Sequence, residues 1–324
     1  MSRHEQIDLS KVKTVSMGSR KSKVQVKDFA QVVAPEDWFR RFDDVFPKIL
    51  AGNDFREIVR RVLSAVRGNK PVIFLLGAHV IKCGLSPIIV DLIRRGVVSA
   101  VAMNGAGAIH DVEIAVWGHT SEDVSASLAD GNFGMARETA DLINGALCKG
   151  PHNQGFGECL GQMLCQLDPP HGEHSILAEG FRSPIPVTVH VALGTDVIHQ
   201  HPSTDGAAIG ELSYRDFKIF THCISQIGGG GVVMNFGSAV LLPEVFLKAL
   251  SLARNIGEKV RGYTTVNFDM IPHYRPTMNL VLRPAQAGGR GFQIIGHHEI
   301  MIPLLAGAIR FGLNEEGGRK ERST

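Results

Sequence analysis

The sequence predicts an α/β chain with a Rossmann-like, mostly parallel sheet and helices on both faces. Three observations carry that prediction. Short, wholly apolar runs ending in glycine recur along the chain, as in Val72-Ile73-Phe74-Leu75-Leu76-Gly77. Segments of helical periodicity separate them. The length, 324 residues at 44% hydrophobic and 20% charged, suits one large α/β domain or two smaller ones. Strands buried on both faces that alternate with helices form right-handed β-α-β units.

The elements follow in order. Residues 1–50 read as an arm plus a short amphipathic segment around Trp38-Phe39-Arg40-Arg41-Phe42. A helix is expected from Asp54 to Val66, with Ile58, Val59, Val62 and Val66 on one face, broken at Asn69-Lys70-Pro71. The first strand is the run at Val72. A helix from Ser86 to Arg95 stops at Gly96. A strand over 97–103 leads into Asn104-Gly105-Ala106-Gly107-Ala108-Ile109-His110-Asp111-Val112-Glu113. Helices are expected over 122–128, 134–147, 214–224, 243–255 and 300–311, and further strands at 186–194, 232–237, 261–269 and 291–297. The interval 149–174, rich in Gly, Pro and His, reads as a lid or an oligomer contact. The organisation read is thus an arm over 1–50, a single Rossmann-like domain over 51–313 and a polar tail over 314–324.

Composition narrows the partners. Formal net charge is +2, so nucleic acid is not an expected partner. Lys11, Lys13, Arg20, Lys21, Lys23 and Lys27 form a local basic run, a solvated arm or a subunit contact. No apolar stretch approaches a membrane span, and no signal peptide is read at the N-terminus. Five scattered cysteines without a Cys-x-x-Cys suit a reducing cytoplasm.

Ligands of parallel α/β sheets bind at the carboxyl ends of the strands, where this chain places its small and polar residues. These are Gly77-Ala78-His79, the Asn104–Glu113 stretch, Thr195 to Glu211 with Asp196, His199, Asp205 and Gly206, and the end of Thr264–Asp269. Gly296-His297-His298-Glu299 completes the set, and the run Gly228–Gly231 precedes another strand. Glycine turns and helix N-termini could together hold a pyrophosphate. Tight-turn chemistry accounts for any one of them alone. His110 is the candidate acid–base group, because Asp111 and Glu113 can orient and tune an imidazole. A helix-cap histidine with a capping Asp is the competing explanation. His171-x-x-His174, His199-x-His201 and His297-His298 are the closest histidine groupings. They lack the spacing of a metal-binding helix or a companion Cys pair, so no metal ligand is assigned. No Gly-x-Ser-x-Gly is present.

On six ordered anchors the chain resembles deoxyhypusine synthase, a tetrameric NAD-dependent family. The anchors are Phe74-Leu75-Leu76-Gly77 with Gly84, Asn104–Asp111, Ser203-Thr204-Asp205-Gly206 with Glu211, Gly229-Gly230-Gly231-Val232-Val233, Thr264–Asp269 and Ile302-Pro303-Leu304-Leu305. The resemblance implies NAD contacts at Gly77, Ala78, His79 and Val80, at Asn104, Gly105, Ala106 and Gly107, and at Asp205, Gly206, Gly229, Gly230, Thr265, Asp269 and His297. It implies that Glu211 binds the substrate amine. The departures are informative. No lysine occurs between Lys259 and Lys320, where the family forms a covalent imine. Arginine cannot replace it, because its guanidinium stays protonated. Asn235 stands at the family histidine, and His110 at one of its paired glutamates. Asn104 to Glu113 is also similar to the Gly-Asn-Ala-x-Ala-Val-His-Asp-Ile-Glu stretch of NAD-dependent archaeal-type ornithine cyclodeaminases.

The resemblance therefore implies a cytoplasmic homotetramer that binds NAD and oxidises an amine or amino acid to an imine, as a transferase or lyase, without making deoxyhypusine. His110, Asp111, Glu113, Glu211 and Asn235 are the expected catalytic residues. A non-catalytic dinucleotide-binding homologue and a metal-dependent hydrolase using the histidines are the alternatives.

Overall fold

The computed structural model describes residues 42–321 apart from 130, 151 and 152. The expected arm with its basic run, and most of the segment around Trp38, lie outside the described residues.

Six strands form one sheet: β1 (Val72–Leu76), β2 (Ala100–Asn104), β3 (Val187–His190), β4 (Val232–Phe236), β5 (Thr264–Asp269) and β6 (Arg290–Ile295). Their spatial order is β3-β2-β1-β4-β5-β6, and every pairing is parallel. The chain winds outward from β1 to β3, then returns beside β1 and winds the other way. β1 and β4 pair from Val72↔Val232 to Leu76↔Phe236. The winding reverses at that pair, which marks the crevice at the carboxyl ends of the two strands where open α/β sheets bind their ligands.

Strand alternation divides the core into two layers. Val72, Phe74 and Leu76 of β1 pack with the 50–67 and 298–321 helices, while Ile73 and Leu75 face Phe220, Phe246 and Leu250 of the 206–225 and 241–255 helices. Both faces are covered, which is why the strands read as continuous apolar runs rather than as alternating ones.

Four local differences from the sequence reading have physical causes. The stretch after β2 is the first part of a helix, Gly105–Trp117, rather than an extended glycine turn. That helix buries Gly105, Gly107, Ala108, Ile109, Asp111, Val112 and Ala115, and apolar or small residues run nearly all round it, so its helical periodicity is weak. Residues 149–174 are not a lid: they contain the helix Phe156–Leu167, whose Phe156, Leu160 and Leu164 are core residues. The helix expected from Tyr214 starts at Gly206, capped by the Asp205 carboxylate. The last helix, His298–Glu321, continues through most of the expected polar tail.

Buried carboxylates fasten the β2–β3 half. Asp216, 1% exposed on the 206–225 helix, accepts from the N–H of Gly157 at 2.9 Å and of Val189 at 2.6 Å. One carboxylate thus closes the N-terminus of the 156–167 helix and satisfies a donor on the outer edge of β3. Asp111 accepts from the Ser175 hydroxyl at 2.5 Å and from the N–H groups of Ile176 and Leu177 at 2.8 and 3.1 Å, which caps the helix Ile176–Arg182. Burial pushes the carboxyls up, to about 6 for Asp111 and about 7 for Asp216, further than their hydrogen bonds draw them down.

Asp216→Ala leaves these N–H groups without an acceptor and is expected to destabilise the fold by about 3 kcal/mol in urea denaturation. A loss near zero would mean that water takes over the role. The pH dependence has a definite sign. The folded-state pKa lies above the ordinary 3.8, so the folded state binds the extra proton between that value and about 7. The contribution of Asp216 to stability is complete below the lower pKa and declines as pH rises through the upper one. Stability measured from pH 4 to 8 should therefore fall less steeply in Asp216→Asn than in the native protein. Parallel curves would refute this assignment.

Candidate active site

At the carboxyl edge of the sheet, a cavity of about 590 Å³ lies between the 105–117 helix, the loop after it and the segment following β3. Ile109, Trp117, Val124, Phe133, Ala136 and Val197 give it apolar walls, and Glu113, Glu122, Glu138 and Asp196 supply carboxylates. Lys82 is the one Lys or Arg among its lining residues. A site of this composition favours an organic cation over an anion.

His110 and Glu113 reach the cavity from adjacent turns of one helix. That helix ends at Gly118 in the left-handed conformation, φ +73°, where an added Cβ would lie 2.6 Å from the His171 ring. The reversal brings Thr120 back between the two side chains. His110 Nδ1 lies 2.6 Å from the Thr120 hydroxyl, which donates to Glu113 Oε2. The Thr139 hydroxyl donates to Glu113 Oε1 at 3.0 Å. Burial opposes ionisation of Glu113, but the nearby His110 ring and the hydroxyls of Thr120 and Thr139 outweigh it and hold its pKa below the ordinary carboxylate value. Glu113 is therefore an anion at neutral pH.

Asp111 does not join this network. One residue on, its side chain leaves the helix about 100° away from that of His110 and caps the 176–182 helix, so it cannot orient the imidazole. Asp196 was not singled out beyond its loop, yet the structure places it at the cavity. Its carboxylate, 7% exposed, lies over the N-terminus of the 105–117 helix, and a Cβ on Gly105 would fall 2.0 Å from its Oδ2. Burial raises its pKa to about 6, and the Ala106 N–H offsets this only in part. The Asn104 side chain accepts from the Gly107 N–H at 2.9 Å. Asn104, Gly105, Ala106 and Gly107 thus present a helix N-terminus already engaged by protein acceptors, not the open anion site expected of them. The smallness of Gly105 serves the approach of Asp196.

The crevice between β1 and β4 is the second feature of this edge. Gly77 donates to the Phe236 carbonyl at 2.8 Å, and a Cβ on it would meet the Gly237 backbone at 2.5 Å, so the two turns cross without side chains between them. Ala78 and His79 follow Gly77, and the rings of His79 and His298 are 6.2 Å apart. Asp269, at the end of β5, receives the Met270 N–H on Oδ1, while its Oδ2 has no partner among the described residues. Burial depresses the pKa of His298, countered by Asp269, and the His298 Nδ1 also has no hydrogen-bond partner among the described residues. His297 is exposed beside Glu299. Two bare glycine turns and two orphaned buried polar atoms at a winding reversal fit a dinucleotide.

Several expected site residues lie elsewhere. Gly229 and Gly230, with φ of +72° and +123°, precede β4 and so belong to the opposite, amino edge of the sheet. A parallel sheet cannot bring them to the crevice. Thr265 is buried within β5 and donates to the Leu280 carbonyl. Asn235 is buried on β4 and donates to Asn267 at 2.7 Å, and Asn267 donates in turn to Gln293 at 3.2 Å, an amide ladder across three strands. Asp205 and Gly206 lie at the exposed start of the 206–225 helix, and Glu211 pairs with Arg215 at 2.8 Å outside the cavity. Among the described residues no three His, Cys, Asp or Glu side chains are grouped to hold a metal ion, and no helix is long and apolar enough to cross a membrane.

No family model and no curated protein matches the chain. Solved structures do match its fold. A conserved protein assigned to the LOR/SDH group from Methanococcus maripaludis aligns with TM-score 0.50 and 16% identity over 80% of this chain and 69% of that one. AgrE, in a ternary complex with ornithine and NAD+, aligns with TM-score 0.51 and 13% identity over 86% of this chain and 34% of that one. The present chain thus spans about a third of AgrE. A chain from Entamoeba histolytica assigned as a deoxyhypusine synthase aligns over 85% of this chain at 9% identity and TM-score 0.47. The first two share the α/β Rossmann-like fold of this protein.

Proposed function

We propose that the protein is an NAD-dependent enzyme that oxidises a primary amine or amino acid at the carbon bearing the nitrogen. The observation that carries this reading is the ionised Glu113, tied through Thr120 to His110, inside an acidic cavity at the carboxyl edge of a doubly wound parallel sheet. Glu113 and Asp196 stabilise the cationic nitrogen of the substrate by charge. The apolar wall of Ile109, Trp117 and Phe133 receives its carbon chain. His110 accepts the ammonium proton, which frees the nitrogen lone pair to assist loss of hydride from the adjacent carbon. Gly77, Ala78, His79 and Asp269, with His297 at the rim, are the residues that would hold NAD, which when bound supplies the hydride acceptor. AgrE, a protein of this fold solved with ornithine and NAD+, supports the pairing of cofactor and substrate class. No lysine lies between Lys259 and Lys320, so the oxidised substrate has no protein amine there to trap it.

Incubation with NAD and a panel of ornithine, polyamines and alkylamines should yield NADH, read by its absorbance. Glu113→Gln should lower kcat/KM by about a hundredfold. Binding of NAD without NADH formation from any amine would leave the dinucleotide-binding homologue as the better description. Failure to bind NAD at all would overturn the cofactor assignment.

A further inference from the structure

We propose that Thr120 is a positioning residue that sets the proton of His110: its hydroxyl, held by Glu113, fixes the imidazole proton on Nδ1 and leaves Nε2 as the acceptor open to the cavity. One chain of hydrogen bonds fixes where each proton lies. An ionised carboxylate can only accept. The Thr120 hydroxyl has a single proton, and it goes to Glu113 Oε2. Its oxygen can then only accept from His110 Nδ1, 2.6 Å away. Nδ1 therefore carries the N–H, and in the neutral ring Nε2 holds the lone pair. Glu113 Oε2 is 3.7 Å from His110 Nδ1, beyond direct hydrogen bonding, so the hydroxyl is the required intermediary. The Thr139 hydroxyl on Oε1 keeps the carboxylate from rotating out of line. Among the described residues Nε2 has no hydrogen-bond partner, and His110 lines the cavity beside Ile109 and Ala106. The same carboxylate–hydroxyl–imidazole chain stabilises the imidazolium formed when Nε2 takes a proton.

The kinetic consequence rests on the proposed amine oxidation, but the tautomer does not, and the experiment separates the two. Nitrogen-15 NMR of ring-labelled native protein should show His110 protonated on Nδ1 in its neutral form. Thr120→Val, equal in shape but without the hydroxyl, should lose that preference. It should lower kcat with amines about ten- to a hundredfold while KM stays within about twofold. Thr120→Ser should restore both the tautomer and kcat. Glu113→Gln is an independent check. Its amide oxygen stays on Thr139 and its NH2 donates to Thr120, which turns the hydroxyl toward His110 and moves the ring proton to Nε2. An Nε2-protonated His110 in the native protein would overturn the proposal, as would an unchanged tautomer in both Thr120→Val and Glu113→Gln. The expected tautomers without NADH formation from any amine would instead count against the proposed reaction alone.

Discussion

The unpaired N–H groups of a buried helix N-terminus must find acceptors, and three aspartates supply them in the half of the protein that holds the cavity. Asp111 serves the 176–182 helix, Asp196 lies at the start of the 105–117 helix, and Asp216 serves the 156–167 helix together with the edge of β3. Each carboxylate comes from a different part of the chain than the helix it meets. These long-range caps lock β2, β3 and their covering helices into one unit, and the cavity walls are part of that unit. The same carboxylates carry a desolvation cost, visible in their raised pKa values. Removing one therefore has two opposed effects: loss of the cap and relief of a buried charge.

That constraint also divides the carboxyl edge into two regions of different chemistry. Because Asp196 covers the N-terminus of the 105–117 helix, the cavity is acidic there instead of being a phosphate cradle. The winding reversal between β1 and β4 is left as the place where two bare turns meet and where Asp269 and His298 have unmatched polar atoms. The proposed amine substrate and the proposed dinucleotide would thus occupy separate regions, on neighbouring strands of one sheet. The helix carrying Glu113 and His110 leaves β2 directly, so the position of the two side chains is tied to the sheet rather than to a loop.

The sequence by itself determined the fold class and all six strands, because a parallel sheet covered on both faces needs continuous apolar runs and these are unmistakable. It also singled out His110 with its neighbours Asp111 and Glu113, though only the helix shows that Glu113 shares the face of His110. It concealed the 105–117 helix, which is buried almost all round and so lacks an amphipathic pattern, and the core helix within 149–174, whose Gly-rich surroundings read as loop. Tertiary structure alone decided the roles of the glycines and acids. Gly229 and Gly230 resemble a phosphate turn in sequence, but the direction of β4 puts them at the far edge. Asp111 and Glu113 are equivalent neighbours of His110 in the linear chain, yet the helical turn aims one at a distant cap and the other at the cavity. Thr120 and Thr139 became visible only when folding brought them to the 105–117 helix, and only folding set Asp196 over the start of that helix. Apolar periodicity is a local property and survives in the sequence, whereas the partner of a hydrogen bond is chosen by packing between segments far apart in the chain.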